Sequence, residues 1–150
     1  MTPETVFQLA NALVLPQWLL MLVAPRWRAT QALVRSFALP ALLAVIYATY
    51  LFSGKPVDFT SFGSLAGIKN LFATGSDAVM LAGWVHYLAF DLVAGSTMLL
   101  NAQREKIPHW LIVVPLFFCF MLGPVGWLLY WIIRLIRTRT VLFEFGVARG

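Results

Sequence analysis

Hydrophobic positions in the chain gather into four long stretches, separated by short polar segments rich in turn-forming residues. The first, residues 6–23, ends at Pro25 and the cluster Arg26, Arg28, Arg35; the second, 37–52, ends at Ser53-Gly54-Lys55-Pro56, where glycine and proline stop a helix. This pair predicts a helical hairpin. The third, 78–100, has Asp77 as its N-cap, and the fourth, 110–136, follows the polar turn from Asn101 to Lys106. Each run is long enough to cross a bilayer, which takes about 20 apolar residues. Between the second and third runs, Phe62, Leu65, Ile68, Leu71 and Phe72 recur at helical spacing in a segment too polar to span. That spacing predicts a short interfacial helix over 60–74, closed by Gly75.

The expected fold is therefore all-α: one multi-span integral membrane domain over 1–150, with four transmembrane helices and one interfacial helix. Composition agrees, with 61% hydrophobic and 11% charged residues and a mean hydropathy of +0.82, where soluble domains carry about a quarter charged residues. The first stretch lacks a basic leader and a small-residue cleavage site, so it reads as a retained span. A lone Cys119 in an apolar run excludes a disulfide framework.

The net charge of +5 comes from arginines that flank the spans, with Arg134, Arg137, Arg139 and Arg149 forming the second cluster. Such cations meet lipid head groups, and nothing suggests a nucleic-acid surface. Four spans would balance the charges on the two sides. The charge rule then leaves the orientation open, unless the Phe62–Phe72 segment is re-entrant or the last helix dips back.

Candidate chemistry centres on Asp91, at mid-span, where an ionised carboxylate costs about 2.5 to 3.5 kcal/mol. It must be hydrogen-bonded, paired or neutral. With no lysine or arginine central in any span, the neutral acid is expected, and a neutral acid has a proton to give. At helical spacing Asp91 shares a face with Trp84, Tyr87, Leu88 and Gly95, while His86 points about 140° away. Tyr87 is the closer partner, one turn earlier. Pro16-Gln17 and Gly123-Pro124-Val125-Gly126 fall level with Asp91, and each proline frees a carbonyl four residues back, at Ala12 and Phe120. Asn11, Gln17, Trp84, Pro124, Trp127 and Tyr130 are the expected substrate-binding residues of a mid-membrane pocket. The plainer alternative is that these polar groups only hold helices together. His109 is expected at the interface. No metal site and no cofactor motif is evident.

Asn11, Pro16, Trp18 and Pro25, the run Trp84-Val85-His86-Tyr87-Leu88-Ala89-Phe90-Asp91, Ile107-Pro108-His109, Pro115, and Gly123-Pro124-Val125-Gly126 with Leu129-Tyr130 resemble the Aba-four-like family across nearly the whole chain. The family is named for an abscisic-acid-deficient plant mutant. The resemblance implies a small membrane protein whose plant members are linked to making neoxanthin from violaxanthin, a rearrangement that opens an epoxide and forms an allene without net redox change. Such chemistry calls for an acid and a base, with Asp91 the candidate acid and His86 or Tyr87 its proton partner. Where members of the family often continue with Gly-Arg-Trp, this chain has Gly95-Ser96-Thr97-Met98.

Three functions follow: an isomerase acting on a carotenoid or other isoprenoid lipid, a pigment- or lipid-binding accessory protein, or a transporter or channel subunit. The expected partners are membrane lipid and a hydrophobic small molecule. An enzyme should bring Asp91, His86 and Tyr87 together on a cavity open to lipid. A transporter should show an internal repeat, which is not found, and would need to oligomerise to enclose a path.

Overall fold

The computed structural model describes residues 2–52 and 58–143. The turn expected at Ser53–Pro56 and the cation Arg149 lie outside the described residues. The described chain is all-α, in the order α1 (Pro3–Val23), α2 (Arg28–Ser36), α3 (Ala38–Phe52), a 3-10 turn (Phe59–Gly63), α4 (Leu65–Thr74), α5 (Asp77–Arg104), α6 (His109–Leu122) and α7 (Pro124–Thr138).

Local chemistry sets the ends of these helices. The Thr2 hydroxyl accepts from the Thr5 amide at 3.3 Å, and Pro3 sits in the first turn, where its missing N–H costs nothing. Ser64 caps α4 through the Gly67 amide at 3.0 Å. Between α2 and α3, Phe37 adopts a left-handed conformation (φ 51°), and the two helices meet at a bend of 42°. The arginine cluster expected in a loop is thus partly helical, with Arg28 and Arg35 on α2.

Two helices, α1 and α5, are long and apolar enough to cross a membrane; the bent pair α2–α3 makes a third if counted as one span. The expected fourth span, 110–136, is instead two helices. Gly123 breaks it with φ 40° and ψ −90°, and α7 doubles back along α6. A side chain on Gly126 would run into the backbone of Cys119 and the carbonyl of Pro115, residues that a continuous helix would leave two and three turns behind. Hydrophobicity is the same for a run that continues and one that turns, so the apolar pattern alone reads both as one helix. Pro124, placed mid-helix by that reading, opens α7, where it fits.

Helix α5 is the hub, touching α1, α3, α6 and α7. Val6, Ala10, Val14, Trp18 and Met21 form the inner stripe of α1 and join Leu81, Val85, Leu88 and Leu92 of α5 in the core. Leu9, Leu19, Val45 and Phe90 face outward and exposed. An exterior as apolar as the core suits acyl chains. The 3-10 turn and α4 match the short helix expected over 60–74.

Candidate functional site

Asp91 lies half-way along α5 and is 8% exposed. The tip of the α6–α7 hairpin sits directly over it. A Cβ on Gly123 would collide with the carboxyl, so only glycine allows this approach, and its positive φ is one that glycine tolerates. The Cys119 thiol points at the Asp91 backbone carbonyl at 3.7 Å. Asp91 Oδ2 is buried with no hydrogen-bond partner. An orphaned buried oxygen costs about 1–3 kcal/mol and calls for an explanation.

Tyr87, one turn earlier, interacts with the same carboxyl, and its hydroxyl donates to the Met121 carbonyl at 3.2 Å. That carbonyl belongs to the last turn of α6, which the break at Gly123 leaves without helical donors. Above this bond opens a cleft of about 820 Å³, lined by Glu4 and Phe7 of α1, Phe72 of α4, Trp84 and Tyr87 of α5, and Met121 of α6. The Trp84 indole packs against Phe7 (5.6 Å between rings) and Tyr87 (5.8 Å). It donates to Asn11 Oδ1 at 3.2 Å, and Asn11 in turn donates to the Phe7 carbonyl at 2.7 Å. Asn11, Trp84, Tyr87 and Asp91 therefore form one chain of neighbours, of which Trp84 and Tyr87 line the cleft and Asn11 and Asp91 do not.

The other expected site residues lie elsewhere. His86 is exposed on the far side of α5, against Tyr47 (5.3 Å) and Phe90 (4.7 Å), so it does not join Asp91. Gln17 is buried deeper and donates to Ser96 Oγ at 3.0 Å, leaving its Oε1 without a partner. Pro124 is exposed at the hairpin turn. Trp127 and Tyr130 belong to a second polar cluster at the other end of α7. His109, expected at the interface, is half-buried and hydrogen-bonds the Leu22 carbonyl at 2.8 Å. Among the described residues, no group of His, Cys, Asp and Glu gathers to hold a metal ion.

The second cluster surrounds Arg134, 1% exposed. Asn101 Oδ1 accepts from Tyr130 at 2.5 Å and from Arg134 Nε at 3.1 Å. The remaining guanidinium nitrogens reach the carbonyls of Thr140 (3.0 Å) and Leu142 (2.6 Å) and the carboxylate of Glu105 (3.5 Å). Phe143 covers the guanidinium at 4.1 Å and stacks on Trp127 at 5.8 Å. Read from sequence alone, Arg134 is one more cation for the head groups. The available signal is helical spacing: Tyr130 and Arg134 share a face of α7, and Asn101 of α5 stands one turn before Glu105, the residue that caps that helix.

A family model described as ABA DEFICIENT 4-like matches residues 5–130. Protein ABA DEFICIENT 4, chloroplastic, of Arabidopsis thaliana is 27% identical over 135 residues, covering 82% of this chain. The chain spans 57% of that relative's length. No solved structure matches.

Proposed function

The chain belongs to the ABA DEFICIENT 4-like family, and on that premise we propose that it is a multi-pass membrane protein that admits a carotenoid or other isoprenoid lipid to the Trp84 cleft and isomerises it with Asp91 as acid. One observation carries this reading: a buried carboxyl with an unpartnered oxygen lies one helical turn from Tyr87, which lines a mostly apolar cleft whose other polar members are Thr2, Glu4 and Asp77. An asparagine could link helices at lower cost, so a carboxyl here favours chemistry over adhesion.

For an epoxide-bearing polyene, the steps balance without an oxidant. Neutral Asp91 gives its proton to the epoxide oxygen as the C–O bond breaks. The carboxylate so formed, directly or through the Tyr87 hydroxyl, takes a proton from the adjacent polyene carbon. The electron pair of that C–H bond becomes a new double bond to the former epoxide carbon, cumulated with the existing one as an allene. The oxygen remains as a hydroxyl on the other epoxide carbon, and Asp91 is neutral again. A positioned acid–base group of this kind contributes about 10² to 10⁴ in rate. To reach Asp91 the substrate oxygen displaces the Met121 carbonyl as partner of the Tyr87 hydroxyl, so the Tyr87–Met121 bond acts as the latch on the floor. His86, on the opposite face, takes no part.

The test is expression in a host that makes epoxycarotenoids, comparing pigments for wild type, Asp91→Asn and His86→Ala. Wild type and His86→Ala should change the xanthophyll profile, and Asp91→Asn should not. Unchanged pigments with wild type across several carotenoid backgrounds would retire the enzymatic reading for this substrate class. Pigment that co-purifies unaltered would instead mark a binding protein.

A further inference from the structure

The helices have directions that fix how the chain can sit in a bilayer. α1 and α5 run parallel: Asn11 meets Trp84, Trp18 lies over Gly95, and just past the end of α1 the Pro25 carbonyl accepts from Gln103 at 3.0 Å. α3 returns antiparallel along α5, with Tyr47 near its end beside His86. α6 starts at the Gln103 end, where His109 meets the Leu22 carbonyl, and climbs only as far as Tyr87 and Asp91. α7 then comes back to that end, where Arg134 meets Glu105. With 14 and 15 residues, the arms are about 21 and 23 Å long at 1.5 Å per residue. Each is short of the roughly 30 Å hydrocarbon thickness. α3 also has 15 residues but is extended by α2 across a 42° bend, whereas α6 and α7 are each bounded by the fold-back at Gly123.

We infer that the chain crosses the membrane three times, that α6–α7 is a re-entrant hairpin, and that the arginine end rests against anionic head groups on the untranslocated side. A backbone break at membrane depth is tolerated only where it is buried in protein, and Gly123 is buried with the Met121 carbonyl taken by Tyr87. Folding the hairpin back also ends the apparent balance of charge. Arg26, Arg28, Arg35, Arg104, Lys106, Arg137 and Arg139 are all exposed at one end, where Glu105 is paired with buried Arg134. At the other end the described charges are Glu4, Asp58 and Asp77 against Lys69. Such a bias sets orientation, and each cation near an anionic surface adds about 1 kcal/mol. The depth that the hairpin leaves unfilled is where the cleft opens, so lipid enters from the leaflet facing away from the arginines.

Single cysteines at exposed positions test this in intact bacterial cells, using a membrane-impermeant maleimide; wild type, whose Cys119 is buried, sets the background. Ala73→Cys and Ser76→Cys should label from outside, and Ala32→Cys and Val141→Cys only after permeabilisation. Labelling of Val141→Cys together with Ser76→Cys from one side would overturn the re-entrant hairpin. Labelling of both Ala32→Cys and Val141→Cys from outside would overturn the assigned orientation.

Discussion

The two polar clusters on α5 differ in one respect that separates their roles. Around Arg134 the polar groups are matched: Asn101 receives two hydrogen bonds, and the guanidinium is shared among two carbonyls, a carboxylate and an aromatic face. At Asp91, ten residues earlier, a carboxyl oxygen is buried with no partner. A satisfied cluster is finished and holds structure. An unsatisfied carboxyl oxygen is held at a cost that a proton, a ligand or an ordered water offsets, as is Gln17 Oε1 in the core. The first ties the free end of the hairpin to α5, and the second lies under its tip.

Damage to the hairpin itself should have the largest effect, because both clusters depend on it. Gly126→Val would force α7 off α6, with a loss of about 3 kcal/mol or more, as for overpacking against backbone. Melting in detergent, followed by intrinsic tryptophan fluorescence, should fall accordingly; a wild-type melting curve would contradict the close approach at Cys119.

Next comes Arg134→Met, which leaves Glu105, Asn101 and two carbonyls facing one another, a loss of about 3 kcal/mol. Tyr130→Phe removes one hydrogen bond from the same cluster and should cost about 1 kcal/mol. Asp91→Asn should behave in the opposite way, changing stability by less than about 1 kcal/mol while abolishing conversion. If Asp91→Asn destabilised as much as Arg134→Met, the contrast between the clusters would fail.

The smallest effect belongs to an exposed contact. The Thr60 hydroxyl, at 2.7 Å, and the Thr60 amide, at 2.9 Å, donate to Asp58 and hold its carboxyl below its ordinary value of 3.8. The folded value is depressed, so this contribution is present above 3.8 and is lost as pH falls through the lower folded value. The protection of the Thr60 amide, measured as its exchange rate relative to the intrinsic rate at the same pH, should fall only in that acid range and stay constant between neutral pH and the ordinary carboxylate value.

Much of this organisation was legible in the residues. Apolar runs located α1, α3 and α5, and i to i+4 spacing put Tyr87 with Asp91 and set His86 apart. The fold-back was not legible as such, because an apolar helix is equally apolar whether its neighbour is lipid or its own returning arm. Its trace was Gly123-Pro124-Val125-Gly126, a left-handed turn, a helix start and a site of close approach read together as a kink. Arg134 was hidden for a different reason: its partners on α5, Asn101 and Glu105, are 33 and 29 residues away, and local sequence cannot show that they meet. On one straight helix over 110–136, Trp127 lies deeper than the interfacial aromatics and Tyr130 lies roughly two turns beyond Pro124, which puts both with the Asp91 pocket. The hairpin carries them to the other cluster instead.

Infrared absorption of the purified protein at neutral pH tests the central contrast most directly, since a neutral carboxylic acid and a carboxylate have separate carbonyl bands. Wild type should show a protonated-acid band that is missing in Asp91→Asn and persists in Arg134→Met. A spectrum in which Asp91→Asn removes carboxylate absorption alone would mean that Asp91 is already ionised and has no proton to give.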